Sequence, residues 1–205
     1  MQDLTLYSMP SSGNSYKVRL LLALLGRAYT RVDCEVASPE LEAAHAGGHL
    51  PFGKAPALHL PDGTVLSESG AILWYLGEET PWVPADPLAR AQTLAWMFFE
   101  QNRHEPVVAV RASLLRYPHR AADATPEALA TLLEDGHAVL AVMEQGLDGQ
   151  PFFGGTSPTL ADIALYGYTH TAGTYGGFDM TRFPRIDDWC AAIAALPGYV
   201  TLEHA

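Results

Sequence analysis

Residues 51–76 decide the fold and read PFGKAPALHLPDGTVLSESGAILWYL. Two short runs of strand-forming residues, 57–60 and 64–66, flank the sequence Pro-Asp-Gly at 61–63, which is a turn signal. Ser69 then opens a run of apolar residues at helical spacing. The stretch therefore predicts a β-hairpin followed directly by a helix.

The fifty residues before this stretch alternate strand and helix signals. Strand-forming residues occupy 4–7 and 29–36, and an apolar stripe at helical spacing through 18–25 stops at Gly26, a residue that suits a helix C-terminus. Ser38-Pro39 marks the start of another helix, with proline at the first helical position. The predicted order of elements is β-α-β-α-β-β-α.

The remainder of the chain shows helical patterns. Prolines interrupt residues 79–87, and a long helix is expected over 88–117, with Pro106 inside it as a kink. Further helices are predicted after Thr125-Pro126, with Gly136 as a weak point, after the capping box at 159–162, and over 186–196. The expected organisation is an α/β domain over 1–78, a linker over 79–87 and an all-helical domain over 88–205.

Composition excludes several classes of protein. A content of 48% hydrophobic residues over 205 positions supplies a core, and the net charge of −11 disfavours nucleic acid and anionic membranes as partners. The N-terminus lacks the apolar run of a signal peptide, and the longest apolar run is too short to span a bilayer. The two cysteines, Cys34 and Cys190, show no CxxC spacing, so a reducing, cytoplasmic setting is expected.

The loop at residues 8–14 lies between the first predicted strand and the first helix. A small polar residue such as Ser12 at a helix N-terminus stands where free N–H groups and the helix dipole favour an anion, and a thiolate is such an anion. The alternative is that Ser12 only caps the helix.

The loop at residues 51–56 ends in a proline that opens a strand. If the Ala55–Pro56 bond is cis, the Ala55 backbone turns outward with both hydrogen-bonding groups free for a peptide-like ligand. Lys54 could then neutralise a ligand carboxylate. The alternative is a tight loop with an ordinary trans proline.

The third polar stretch, 67–70, lies where the hairpin ends and a helix begins. Ser69 and the amides after it suit a carboxylate, and Glu68 suits an ammonium, so together they fit the end of an α-amino acid. The alternative is helix capping beside a solvated glutamate.

In order and spacing, the segments 6–19, 51–58 and 66–72 resemble those of the cytosolic glutathione transferases, and the resemblance spans essentially the whole chain. It implies a thioredoxin-like domain (βαβαββα) followed by an all-helical domain that contributes to a second-substrate site. It also implies a homodimer that transfers glutathione to a small hydrophobic electrophile, with glutathione as co-substrate and no separate cofactor. A disulfide or peroxide reductase and a non-catalytic binding protein of the same fold are the alternatives.

The resemblance also implies roles for particular residues. Ser12 holds the sulfur, the backbone of Ala55 before a cis Pro56 pairs with the cysteinyl part, and Lys54 meets the glycyl carboxylate. Glu68 with Ser69 grips the γ-glutamyl end.

Several positions in the first loop remain open as the sulfur contact. Asn14 matches the asparagine of bacterial classes that favour disulfide reduction and is expected to share the sulfur with Ser12, whereas Ser11 and Tyr7 are the alternatives. No cysteine lies in this loop, which disfavours the classes that form a mixed disulfide with glutathione.

No metal site is expected, because Gly47-Gly48 breaks the helix that would align two nearby histidines. The residues expected to line the second-substrate pocket are Met9, Trp96, Phe99 and Arg103.

Overall fold

The computed structural model describes residues 4–205, which form two compact units. The first unit combines the chain up to Val83 with the C-terminal segment Ala195–Ala205, and the second is Pro84–Ala194. The C-terminal segment therefore groups differently from the predicted division, which placed it in the helical domain. The reason is hydrogen bonding within the first unit: the Tyr16 hydroxyl donates to the Val200 carbonyl over 2.7 Å.

The first unit is built on a four-stranded sheet with strand order β2-β1-β3-β4. Strand β2 runs parallel to β1, whereas β3 is antiparallel to both β1 and β4. The predicted β-α-β-α-β-β-α order is confirmed. The strands are β1 (Thr5–Ser8), β2 (Thr30–Asp33), β3 (Ala57–His59) and β4 (Val65–Ser67).

Three helices accompany the sheet, and their starts follow the predicted signals. The Ser38 side chain accepts a hydrogen bond from the Leu41 amide and caps the second of them, which has Pro39 at its first position. Gly26 adopts φ 61° just beyond the first helix, a conformation that favours glycine. The helices are α1 (Gly13–Leu24), α2 (Pro39–Ala46) and α3 (Ser69–Gly77).

The second unit is helical. Its helices are α4 (Pro87–Phe99), α5 (Glu105–Arg116), α6 (Pro126–Gly146), α7 (Leu160–Thr169), α8 (Ala172–Gly176) and α9 (Pro184–Ala194). The short helix α8 was not predicted. The mixed sheet with its helices, followed by a helical part, confirms the predicted fold class of an α/β domain plus an all-α domain.

The predicted kink near Pro106 is a change in helix type. One turn of π-helix, Glu100–His104, joins α4 to α5, and the Glu105 amide donates to the Glu100 carbonyl five residues back. Proline has no N–H and its ring collides with the preceding turn, so a widened turn accommodates it.

Helix α7 begins with the predicted capping box, which is buried. The Thr159 amide donates to Asp162 Oδ2 over 2.7 Å, and the Trp189 indole donates to Asp162 Oδ1 over 2.9 Å. The box thus joins α7 to α9 as well as starting α7. Among residues 4–205, no helix has both the length and the apolar character needed to cross a bilayer.

Candidate functional site

The three polar loops meet at one edge of the sheet. Strand register aligns Tyr7 of β1 with Ala57 of β3, and Ala57 with Ser67 of β4. The end of β1, the start of β3 and the end of β4 are therefore neighbours. As a result, the loops after β1, before β3 and after β4 lie side by side, although they are up to sixty residues apart in sequence.

Ser12 is the N-cap of α1. Its Oγ accepts from the Ser15 amide at a long distance of 3.4 Å, and the residue is half-buried. An oxygen that accepts keeps its own hydrogen for donation, and no acceptor for that hydrogen is present among residues 4–205. Capping and donation to a bound sulfur are therefore compatible functions of this one hydroxyl.

Asn14 connects the first loop to the third. Its side-chain oxygen accepts from the Ser69 hydroxyl over 3.2 Å and from the Lys17 ammonium over 2.7 Å. Ser69 is 4% exposed and Lys17 is 1% exposed, so this cluster lies beneath the site surface. The structure brings Ser12, Asn14 and Ser69 to one place.

Of the two alternative sulfur contacts, Ser11 is hydrogen-bonded to another residue, whereas Tyr7 is held through its ring. The Ser11 hydroxyl donates to Glu35 over 2.8 Å, and its amide donates to the same carboxylate over 3.0 Å. The ring of Tyr7 stacks on His49 with centroids 4.7 Å apart. Burial, followed by the nearby Cys34, raises the pKa of the Tyr7 hydroxyl. A raised pKa keeps this phenol protonated at neutral pH, so it can donate a hydrogen bond and Tyr7 stays an alternative sulfur contact.

The second loop has the conformation that the resemblance implied. The Ala55–Pro56 peptide bond is cis, and among the described residues the Ala55 N–H and C=O have no hydrogen-bond partner. Lys54 is exposed beside them.

The third loop contains a residue in an unusual conformation. Glu68 adopts φ 69° and ψ 119° at the start of α3 and is exposed. A non-glycine residue with positive φ is uncommon, and such strain is often found at functional sites. Glu68 is the N-cap of α3, so it directly precedes the first amides of that helix.

Sequence reasoning missed Arg19, which holds the first loop from below. Its guanidinium is 0% exposed and donates to Ser8 Oγ over 2.6 Å and to the carbonyls of Met9 and Pro10 over 3.2 and 3.0 Å. Burial, and secondarily the neighbouring Arg31, lowers the pKa of Arg19 to about 10, so the group stays charged at neutral pH. The available signal was a charged residue within the apolar stripe of α1.

The four residues predicted to line a second-substrate pocket fall into three groups. Phe99 and Arg103 line a cavity of about 400 Å³ in the helical unit, between the π-helical turn and α6. Trp96 packs into the core instead, with its ring 4.6 Å from that of Phe153. Met9 is half-buried in the first unit, where its backbone carbonyl accepts from Arg19.

Among residues 4–205, no group of three or more His, Cys, Asp or Glu side chains is arranged to hold a metal ion.

Two family models match the chain. Residues 6–84 match the N-terminal domain of glutathione S-transferases, and residues 126–192 match their C-terminal domain. A probable glutathione S-transferase of Zea mays, BZ2, is 30% identical, and the match covers 89% of this chain and 82% of that protein. The chain therefore belongs to the glutathione S-transferase family.

Relatives with other names are also similar. The disulfide-bond oxidoreductase YfcG of Escherichia coli is 30% identical over a match that covers 72% of this chain and 70% of that protein. The transcriptional regulator URE2 of Saccharomyces cerevisiae is 24% identical, with 98% of this chain and 67% of that protein covered. Membership of the family is thus compatible with more than one activity.

Solved structures share the fold over nearly the whole chain. A possible glutathione S-transferase from Rhodopseudomonas palustris is 40% identical with a TM-score of 0.90, covering 98% of this chain and 90% of that one. A glutathione transferase homologue from Sulfitobacter, solved with bound glutathione, is 25% identical with a TM-score of 0.79, covering 97% of this chain and 95% of that one.

Proposed function

We propose that this chain binds glutathione at the loop edge of its sheet and uses the glutathione thiolate to attack a small hydrophobic electrophile. The observation that carries the proposal is the 3.2 Å hydrogen bond between Asn14 and Ser69. It joins the loop that suits a sulfur anion to the loop that suits the end of an amino acid. The solved relative with bound glutathione supports the choice of ligand.

The tripeptide is expected to lie across the three loops. The free N–H and C=O of Ala55, before the cis bond to Pro56, pair with the backbone of the cysteinyl residue. Glu68 meets the γ-glutamyl ammonium, and the Ser69 hydroxyl with the first amides of α3 meets its carboxylate. Lys54 meets the glycyl carboxylate.

The chemical task of the site is to keep the thiol ionised. An unperturbed thiol has a pKa of about 8.5, so only about 3% is thiolate at pH 7. Lowering that pKa by about two units requires about 2.7 kcal/mol of preferential interaction with the anion. Donation from Ser12 and Asn14, together with the N-terminal end of the α1 dipole, can supply this amount.

In the transfer reaction, the thiolate sulfur forms a bond to an electrophilic carbon of the second substrate. The leaving group departs with the electron pair of the bond that breaks, and the product is a thioether. The protein ionises the thiol and positions it, and no protein general base is needed for the attack. We propose that the helical domain contributes to binding of the electrophile, through the cavity lined by Phe99 and Arg103, and that the active form is a cytoplasmic homodimer.

Reduction of a disulfide is the second candidate. The relative named a disulfide-bond oxidoreductase supports it, as does Asn14, which matches the asparagine of the bacterial classes that favour disulfide reduction. Here the thiolate attacks the glutathionyl sulfur of a mixed disulfide, the other thiolate leaves, and glutathione disulfide forms. A third possibility, a binding protein without turnover, is compatible with the relative named a transcriptional regulator.

Calorimetry and turnover test the proposal together. Glutathione should bind with saturation at millimolar concentration or below, and the protein should conjugate glutathione to an aromatic halide. Turnover of a mixed disulfide without turnover of the halide would favour the second candidate, and binding without either activity the third. If glutathione produces no heat and no saturation, the proposal is wrong.

The Ser12→Ala variant tests the sulfur contact. It should lower kcat at least tenfold and change the affinity for glutathione less than threefold, because one charge-assisted hydrogen bond to the thiolate, of about 1.5–3 kcal/mol, is lost. Ser38→Ala is the matched control, since Ser38 caps α2 in the same unit with the same chemistry. Equal effects of the two substitutions would show that Ser12 only caps its helix.

A further inference from the structure

Lys17 is a buried cation whose contact decides how Asn14 faces the site. Its ammonium is 2.7 Å from Asn14 Oδ1, and the residue is 1% exposed. An ammonium only donates hydrogen bonds, so the atom that it contacts must be the oxygen of the Asn14 amide and not the nitrogen. The contact therefore excludes the flipped orientation of this side chain.

The Ser69 hydroxyl by itself cannot fix that orientation. Its oxygen is 3.2 Å from Asn14 Oδ1, and a hydroxyl can donate to an amide oxygen or accept from an amide nitrogen. With both donors on Oδ1, the amide NH2 of Asn14 is directed away from Lys17 and Ser69. Among the described residues, no acceptor receives a hydrogen bond from that nitrogen.

We infer that Lys17 is a positioning residue, which holds the Asn14 amide so that its NH2 group donates to the sulfur of bound glutathione. This role rests on the proposed function. Lys17 acts through Asn14 and does not itself contact the substrate. Two other charged side chains, Arg19 and Glu35, hydrogen-bond to the loop at residues 8–14, and neither is altered in the variants below.

The first experiment measures the pKa of the bound thiol from the ultraviolet absorbance of the thiolate as pH is varied. Lys17→Met should raise this pKa by about one unit, which corresponds to a tenfold loss of thiolate below it. The affinity for glutathione should change less than threefold, so the loss appears in kcat. Lys17→Arg, which keeps the donor and the charge, should restore at least part of the shift. The charge control Arg27→Met, at an exposed position three residues beyond the end of α1, should leave the pKa unchanged.

A double-mutant cycle separates positioning from a simple charge effect. If Lys17 acts through Asn14, then Asn14→Ala and Asn14→Ala/Lys17→Met should have the same thiol pKa. Additive shifts would mean that the ammonium acts on the sulfur directly, and the inference would be overturned. If the wild-type protein itself shows no lowered thiol pKa, the proposed function fails instead, so the two failures are distinguishable.

A second measurement leaves Lys17 intact, so it holds even if Lys17→Met does not fold. The chain contains two asparagines, Asn14 and Asn102, and selective ¹⁵N labelling of their side chains gives two NH2 pairs. With glutathione bound, the chemical shifts of the Asn14 NH2 pair should change with pH, and the midpoint of that change should equal the pKa of the bound thiol. The Asn102 pair, which donates to the Phe98 carbonyl in the helical unit, is the internal control. An Asn14 pair that does not respond to thiol ionisation would refute the inference.

Discussion

The carboxylate of Asp162 accepts four hydrogen bonds within the helical unit. The loss in the free energy of unfolding when it is removed can be calculated from these contacts. Oδ1 accepts from the Phe153 amide and the Trp189 indole, each over 2.9 Å. Oδ2 accepts from the Thr159 amide over 2.7 Å and from the Thr159 hydroxyl over 3.2 Å. Asp162 is 0% exposed. If its carboxylate is removed, the groups that donate to it are left in the protein interior without an acceptor.

Asp162→Ala leaves three N–H donors without their acceptor. Each buried donor that loses its partner costs about 1–3 kcal/mol, and partial entry of water makes the lower end appropriate for most of them. The expected loss in the free energy of unfolding is about 3–5 kcal/mol. Asp162→Asn keeps one oxygen but places an NH2 group at one pair of donors, so about half of that loss is expected.

Chemical denaturation followed by circular dichroism measures this loss. Thr125→Ala is the matched control, because Thr125 caps α6 at an exposed position and its removal should cost about 1 kcal/mol. The reasoning would be refuted if Asp162→Ala cost no more than Thr125→Ala.

The stability gap between the wild type and Asp162→Asn should also depend on pH. Burial raises the pKa of the Asp162 carboxyl despite its hydrogen bonds, so the native state holds this proton more tightly than the unfolded state does. That contribution to stability is fully present below the unfolded pKa of about 3.9 and is lost as pH rises through the folded pKa. The gap should therefore be larger near pH 4 than at pH 7.

Three further outcomes are expected. Glu68→Gly should raise the free energy of unfolding by about 1 kcal/mol, since it relieves the positive φ. The same variant should weaken glutathione binding at least tenfold. Glu68→Gln should weaken binding with no gain in stability. Gly136→Ala should destabilise the protein by about 1–3 kcal/mol, because the new methyl group would lie 2.2 Å from the Phe178 ring, and a second change, Phe178→Leu, should recover part of the loss. Burial raises the pKa of the Cys190 thiol to about 12. Its rate of reaction with iodoacetamide should therefore keep rising with pH beyond about 9, where the rate for a free thiol of pKa about 8.5 levels off. A plateau in the rate near pH 9 would contradict this.

Much of the fold could be predicted because its signals are local. The turn at 61–63, the caps at Ser38 and Thr125, and the Thr159 box each depend on residues within three or four positions of one another. The resemblance also implied that the three loops serve one ligand, and the strand order and register show them to be neighbours. The roles assigned to their residues stay predictions until a ligand is bound.

Several of the contacts that arrange the candidate site join residues that are far apart in the sequence. Ser11 is held by Glu35, twenty-four residues away, and Asn14 by Ser69, fifty-five residues away. The Arg19 guanidinium, which supports the first loop, also reaches the Leu202 carbonyl in the C-terminal segment. Such pairs have no local pattern, so sequence reasoning left Ser11 open and overlooked Arg19.

The sequence by itself determined the order of strands and helices, their caps and the three polar loops, because backbone preferences and hydrophobic periodicity act over a few residues. Only the tertiary structure decided which atoms of those loops are engaged and which remain available to a ligand. The physical reason is that a buried polar group must find its partner wherever the folded chain supplies one. In this protein Asn14 finds one of its partners in Ser69, and Arg19 one of its partners in Leu202, both far away in the sequence.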